Sequence, residues 1–261
     1  SSDLLGVATE RSYIKGYDHP SNWRKRRDFG TGTLGDMGCH MFSGWFRSLD
    51  LAAPTGVVSR GPAPNKDNWA INAVVEYTFK GTKFTAGDSI KVAWTDGDAR
   101  PPAEVMALAG DLAKFPGQGT IYLGTDGVLL HPHGSTPMLY PRDKFTGYKY
   151  PKLEPRNHWF DFIDCCLKGD KKPTANFDYA GPMTETVLLG NVALRVGKRI
   201  EWDAAITPAA DGFYFGDQEE MGLGVRVATA ITEKNGGLIT SSTGATTAKQ
   251  TWGQPAAWCD Y

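Results

Sequence analysis

The segment Asp28-Phe-Gly-Thr-Gly-Thr-Leu-Gly-Asp-Met-Gly-Cys-His40 decides how this chain is interpreted, because it fits two different structures. Gly30, Gly32 and Gly35 have the G-x-G-x-x-G spacing of a dinucleotide-binding turn. Such a turn must follow a buried parallel strand, whose sequence is a short apolar run. The preceding residues are instead Arg24-Lys-Arg-Arg-Asp28, which cannot form a buried strand. The sequence therefore argues against a dinucleotide cradle at this position.

The second interpretation is an amphipathic helix over about residues 35–50, ending before Pro54. At about 100° per residue, the polar side chains of Asp36, His40, Ser43 and Arg47 share one face. The opposite arc is apolar and carries Leu34, Met37, Met41, Phe42, Trp45, Phe46 and Leu49. We expect this arc to be buried, which leaves Asp36 and His40 outward as an acid–base pair or as part of a solvated face.

Composition narrows the classes of partner. The chain has 261 residues, a net charge of −1 and 41% hydrophobic residues, which is enough for a substantial core and two units. Near-neutral charge argues against nucleic acid, and the basic run Arg24-Lys-Arg-Arg27 is typical of a solvated or ligand-facing turn. No apolar run is long enough to span a membrane. No signal peptide opens the sequence; the cytoplasm is favoured, and the periplasm stays open if a signal preceded Ser1.

Cysteine and histidine spacing predicts no metal site. Cys39, Cys165, Cys166 and Cys259 form no C-x-x-C motif, and we interpret all four as reduced thiols. His131-Pro-His133 offers two possible ligands without nearby acidic or cysteine partners, a pattern that favours an ordinary loop.

The order of predicted elements indicates an α+β fold, with one open-faced, mostly antiparallel sheet and helices on one face. Besides the helix over residues 35–50, helices are predicted at 158–167 and 182–196, with Pro182 in the first turn of the latter. Strands are predicted at 57–59, 70–79, 89–94, 119–123, 128–130, 137–140 and 199–202. Residues 97–117 resemble an insertion over the sheet. We place a domain boundary near 207, with residues 208–261 as a small glycine-dense, β-rich tail.

Several motifs together resemble one known family. They are Asn22-Trp-Arg24, the segment 28–40, Asn157-His-Trp-Phe-Asp-Phe162, Phe177-Asp-Tyr-Ala-Gly-Pro-Met-Thr-Glu185, Leu188-Leu-Gly-Asn-Val-Ala-Leu-Arg195 and Ile200-Glu-Trp-Asp203. Residues 1–205 resemble the substrate-binding domain of the Gfo/Idh/MocA family of sugar and inositol oxidoreductases. Residues 212–261 resemble a fragment of a PmoA-like domain, a likeness that implies no oxygenase chemistry.

The resemblance implies chemistry for particular residues. Asp36 and His40 match the family's Asp and His beside the reacting sugar carbon, which makes His40 the base and Asp36 the group that orients its ring. Trp23 would stack on a sugar face, and Arg24 would donate to hydroxyl or carboxylate oxygens.

Three further residues have two interpretations each. Asn157 and His158 either point into the substrate cleft or simply begin a helix with exposed polar side chains. Tyr179 either reaches the ligand or packs against the protein.

The resemblance also implies NAD or NADP as cofactor, bound mainly by a nucleotide-binding domain expected before residue 1, so that the chain alone would be inactive. The leading interpretation is the substrate-binding and catalytic part of an NAD(P)-dependent oxidoreductase acting on a CH–OH group of a sugar or polyol. An NAD-dependent glycosidase of the same family is one alternative. A non-catalytic fragment that binds carbohydrate or mediates oligomer contacts is another. A homo-oligomer formed through the sheet is expected.

Overall fold

A computed structural model describes residues 12–17, 21–110 and 115–204, and the predicted tail 208–261 lies outside them. The described chain has the predicted α+β fold. Its helices are a 3₁₀ turn (Trp23–Lys25), α1 (Gly32–Ser48), α2 (Ala103–Ala107), α3 (His158–Lys168) and α4 (Phe177–Val196). Its strands are β1 (Gly56–Ser59), β2 (Val74–Lys80), β3 (Ser89–Thr95), β4 (Gly119–Leu123), β5 (Val128–Pro132), β6 (Met138–Tyr140) and β7 (Ile200–Glu201).

The strands form two antiparallel sheets instead of the single sheet expected. The first has the order β3-β2-β1-β7 and the second the order β4-β5-β6. The chain leaves the first sheet after β3, and the next three strands pair with one another. The chain returns to the first sheet with β7, at the edge opposite β3, where Gly56 of β1 lies opposite Glu201 of β7. Local strand patterns predict each strand well, but they do not state which strands pair.

Helix α1 buries the predicted apolar arc against the inner face of the first sheet. Phe42 and Trp45 are 2% and 3% exposed, whereas His40 is exposed. The ring of Phe42 lies 5.5 Å from that of Tyr77, and the ring of Trp45 lies 5.6 Å from that of Phe79. The predicted orientation of this helix is confirmed.

Helix α4 packs beside α1 and begins earlier than predicted. The side chain of Asn176 accepts a hydrogen bond from the backbone N–H of Asp178, so the helix starts at Phe177. Pro182 therefore lies inside the helix, and its predicted place in the first turn is wrong. The helix ends as predicted at Gly197, which has a left-handed φ of 65°. Asn191 on α4 donates to the carbonyl of Thr31 at 2.6 Å and so supports the start of α1.

Helix α3 holds Asp161 toward the protein and leaves most of its apolar side chains exposed. Asp161 accepts a hydrogen bond from the backbone N–H of Thr174 at 2.8 Å, and this bond is the main cause that lowers the pKa of its carboxyl. Lys171 and Arg156 lie 3.6 and 3.5 Å away and act in the same direction. The exposed large apolar side chains of α3 are Trp159, Phe160, Phe162, Ile163 and Leu167.

The outer face of the first sheet is polar. Outward positions of β2 and β3 include Glu76, Thr78, Lys80, Ser89 and Lys91. Among the described residues, no helix combines the length and apolar character needed to cross a membrane.

The closest approach in the core is between α4 and β2. Tyr77 is fully buried, and burial raises the pKa of its phenol. Within the described part of the chain, its hydroxyl has no hydrogen-bond partner. A Cβ on Gly190 would lie 2.0 Å from that hydroxyl and 2.6 Å from Cδ2 of Leu34. Gly190 is therefore the position at which the helix can meet the sheet.

We predict that Gly190→Ala destabilises the fold by about 1–3 kcal/mol, because the added methyl group overpacks a rigid site. Gly181→Ala in the same helix is the matched control, because nothing lies within 4 Å of its Cβ position. That change should stabilise by up to about 1 kcal/mol through helix propensity. Urea unfolding followed by circular dichroism measures both, and equal midpoints for the two variants would contradict the packing account.

Candidate functional site

The polar face of α1 is contacted by segments that are distant in sequence. It carries Asp36, His40, Ser43 and Arg47, and the 3₁₀ turn, the second sheet and α4 each reach a different part of it. These contacts define the candidate site.

The 3₁₀ turn brings Trp23 and Arg24 to the first turns of α1. Nη1 of Arg24 donates to Oδ2 of Asp36 at 2.7 Å, and both side chains keep exposed surface. Such a surface pair contributes only about 0–1 kcal/mol to stability, so its main effect is to position the two groups. The guanidinium carbon of Arg24 lies 5.9 Å from the ring centroid of Trp23, which is 38% exposed. The structure therefore brings Trp23, Arg24 and Asp36 together.

His40 lies next to a small cavity of about 40 Å³ that His131 and His133 also line. The rings of His40 and His133 are 5.7 Å apart at an angle of 60°. The carboxylate of Asp36 is bonded to Arg24, and within the described chain no hydrogen bond joins it to His40. The ring contact of His40 is thus with His133, and the contact in which Asp36 would orient the imidazole is not formed.

The position of His131 and His133 beside His40 was not predicted from the sequence. Strand β5 extends to Pro132, two residues beyond its predicted end, so His131 belongs to a strand and not to a loop. Residues two apart along an extended chain point to the same side, and this alternation is the signal that could have found the pair.

Gly44 lets the second sheet approach α1. A Cβ on this residue would lie 2.9 Å from the hydroxyl of Tyr122 and 3.9 Å from Nδ1 of His131. Thr120 donates to the carbonyl of Met41 at 3.4 Å across the same seam. Burial raises the pKa of the Tyr122 phenol, whose hydroxyl lies close to this seam.

The described residues of the candidate site do not form a set of metal ligands. Among the residues that the structure describes, no three His, Cys, Asp or Glu side chains are placed to hold a metal ion. Cys39, Cys165 and Cys166 are free thiols, and Cys259 lies outside the described residues.

Tyr179 covers the far end of the polar face. Its hydroxyl lies 2.7 Å from Oγ of Ser43 and donates to the carbonyl of Ser43 at 3.2 Å. The guanidinium carbon of Arg47 lies 3.9 Å from its ring centroid. The structure shows Tyr179 packed against α1, and a contact with substrate remains a prediction.

Asn157 and His158 stand apart from this cluster, at the start of α3. Oδ1 of Asn157 accepts hydrogen bonds from the backbone N–H groups of Trp159 and Phe160, at 3.0 and 3.2 Å. His158 is exposed and its ring contacts that of Trp159. In the described chain, no hydrogen bond, ion pair or ring contact connects either residue to Asp36 or His40. Asn157 has the geometry of a helix N-cap, the second of its two predicted interpretations.

The glycine triplet packs against its own chain. A Cβ on Gly30 would lie 2.4 Å from the carbonyl oxygen of Arg24, and one on Gly32 would lie 2.7 Å from Cβ of Trp69. Gly32 also has a φ of +70°, which favours glycine. Residues 21–29 contain a 3₁₀ turn and a single bridge between Arg26 and Asn68, and no strand. These residues do not fit a dinucleotide pyrophosphate, in agreement with the sequence argument.

Comparison with known proteins assigns no activity. A family of unknown function, DUF6807, matches residues 170–261. The matched part contains α4 and β7 and excludes α1 and the 3₁₀ turn. No curated protein matches the chain.

We predict that Asn157→Ala lowers stability by about 1 kcal/mol through loss of the helix cap. Asn157→Asp is the control, because a carboxylate oxygen still accepts from the same two backbone N–H groups but offers no amide donor to a ligand. Chemical denaturation should therefore separate Ala from Asp. If Asp lost as much stability as Ala, the capping role would be contradicted.

Proposed function

We propose that this chain is the substrate-binding and catalytic part of an NAD(P)-dependent oxidoreductase acting on a CH–OH group of a sugar or polyol. The observation that carries the proposal is the position of His40. Its imidazole is exposed beside a small cavity, one helical turn from the Arg24–Asp36 pair. The resemblance of the surrounding motifs to sugar and inositol oxidoreductases supports the same assignment.

His40 is proposed to accept the hydroxyl proton of the substrate. Oxidation of a CH–OH group removes a hydride from carbon and a proton from oxygen, and NAD(P), when bound, accepts the hydride. A base that takes the proton must therefore lie at the hydroxyl oxygen. Imidazole suits this role because its protonation changes near neutral pH. His133, the ring neighbour of His40, limits the directions from which a hydroxyl can approach.

Arg24 and Trp23 are proposed to bind the substrate. One guanidinium nitrogen of Arg24 is held by Asp36, which leaves other N–H groups available to sugar hydroxyl oxygens. The partly exposed indole of Trp23 offers an apolar surface for the C–H face of a sugar ring. The ion pair fixes the arginine before substrate arrives, which reduces the entropy lost on binding.

The cofactor is proposed to be held mainly by a nucleotide-binding domain outside residues 1–261. The glycine triplet provides no cradle for it, since the space at Gly30 and Gly32 is filled by Arg24 and Trp69. The contribution of this chain is then to position the carbon and to hold the proton acceptor.

We predict that the 261-residue chain does not bind NAD tightly. Its glycine triplet lacks both the preceding strand and the open space that a pyrophosphate needs. Isothermal calorimetry should detect no micromolar association with NAD or NADP. Micromolar affinity would overturn the domain assignment.

We predict that His40→Ala, in a protein that includes the nucleotide-binding domain, lowers kcat by about 10²–10⁴-fold with little change in KM. His158→Ala is the matched control, because that histidine is exposed on α3, away from the cluster. Steady-state kinetics with product analysis measures the effect.

The same experiment separates the candidate reactions. A keto product with net NADH supports the oxidoreductase, whereas a released leaving group without net NADH supports the glycosidase. Unchanged kcat in His40→Ala would remove the chemical role of this helix.

A further inference from the structure

A second cleft begins one residue beyond Arg24 and shares no residue with the histidine cavity. It has a volume of about 390 Å³ and lies between Lys25 and Arg26 on one side and the connection from β1 to β2 on the other. Small-molecule sites commonly have volumes of about 300–1,000 Å³. The cleft is therefore large enough for one monosaccharide unit.

Hydrogen bonds within the protein fix the walls of this cleft. The carbonyl of Lys25 accepts from the backbone N–H of Trp69 at 2.8 Å, and Nη1 of Arg26 donates to Oδ1 of Asn68 at 2.7 Å. The indole N–H of Trp69 donates to the carbonyl of Gly30 at 2.6 Å. The cleft is thus formed without a ligand, and ordering its walls does not reduce affinity.

The polar side chains of the cleft offer donors and no free acceptor. Oδ1 of Asn65 accepts from the backbone N–H groups of Asp67 and Asn68, and Oδ1 of Asn68 is bonded to Arg26. Within the described chain, the Nδ2 groups of both asparagines and Nζ of Lys25 have no protein partner. None of the described residues that line the cleft carries a carboxylate. A ligand that matches this surface must be rich in acceptors.

The charge of Arg26 is poorly balanced. Its Nη1 contacts a neutral amide, and its guanidinium lies 3.2 Å from the ring centroid of Tyr17. Its Nε is buried and has no hydrogen-bond partner among the residues that the structure describes. Leaving a buried donor unpaired is unfavourable, and more so for a charged group. The pKa of the neighbouring Arg27 is lowered, mainly by burial and then by Arg195, while Asp28 and Asp67 act in the opposite direction. The lining of the cleft itself contains Lys25 and Arg26 and, among the described residues, no carboxylate, so an anion is its complement.

The rest of the lining is apolar and includes Trp69 and Ile71. Cations, amide donors and an indole together suit a sugar that carries a carboxylate, because the ring has C–H faces as well as oxygen atoms. We propose that this cleft binds the carboxylate-bearing unit of an acidic saccharide. The proposal rests on the proposed function, since it assigns the class of substrate whose reacting carbon lies at His40.

Binding to the 261-residue chain tests the proposal without turnover. Calorimetry with sodium glucuronate, with glucose as the neutral probe, should show at least about tenfold tighter binding of glucuronate. Lys25→Gln should weaken glucuronate binding by about tenfold, and added salt should weaken it further. Lys91→Gln is the matched control, because that lysine is exposed on the outer face of β3 and should leave affinity unchanged. Circular dichroism verifies that each variant is folded.

Each result decides for or against the cleft. Arg26→Gln should also abolish the preference for glucuronate; if this variant fails to fold, Lys25→Gln still gives the answer. Equal affinity for glucose and glucuronate, or unchanged affinity in Lys25→Gln, would overturn the proposal. Equally tight binding of sodium acetate would overturn its saccharide part. Failure of the His40→Ala prediction would refute the proposed chemistry and leave these binding results standing, so the two failures are distinguishable.

Discussion

Phe42 and Trp45 of α1 pack edge-on against Tyr77, Phe79 and Trp94 of the first sheet, and this aromatic contact fixes the helix that carries the candidate site. Aromatic pairs in these geometries contribute about 0.5–1.5 kcal/mol each beyond the burial of their area. Turning α1 about its axis would bring Trp45 into water and move His40 toward the core. The outward direction of Asp36 and His40 is therefore set by side chains on the opposite face of the same helix.

The candidate site is assembled from weak contacts that depend on this packing. Arg24 reaches Asp36 across 12 residues of sequence, and Tyr179 reaches Ser43 across 136. An exposed ion pair or a single hydroxyl contact contributes little free energy. Such contacts hold because the helices and sheets that carry them are already fixed, so the site is a product of the fold and not a source of its stability.

Local patterns predicted those parts of the fold that depend on local physics. The apolar arc of α1 follows a helical period, and the strands follow alternation, so both could be found from the sequence. The start of α4 was missed because capping by Asn176 acts six residues before Pro182, and a proline in a first turn is only a statistical preference. The division into two sheets depends on pairing between strands that are distant in sequence, and local patterns do not predict such pairing.

The candidate site, like the fold, was only partly predictable from the sequence. Resemblance of motifs grouped Trp23, Arg24, Asp36 and His40, and the structure places the first three in contact. The neighbour of His40 was not predicted, because His133 arrives with the second sheet. A contact of Asp36 with His40 was expected from their four-residue spacing and from the family resemblance. On an exposed helix face a carboxylate can pair with any of several neighbouring groups. In this structure the carboxylate of Asp36 is bonded to the guanidinium of Arg24.

Helix α3 has a consequence for how this sequence can change over time. Asp161 in this helix is engaged with the protein, while Trp159 and Leu167 are 70% and 79% exposed. Replacing exposed apolar side chains by polar ones costs a fold little, and often nothing. Selection for the stability of residues 12–204 alone would therefore let the outer surface of α3 drift toward polar residues. The packing of this part of the chain does not account for the large apolar side chains that are exposed there.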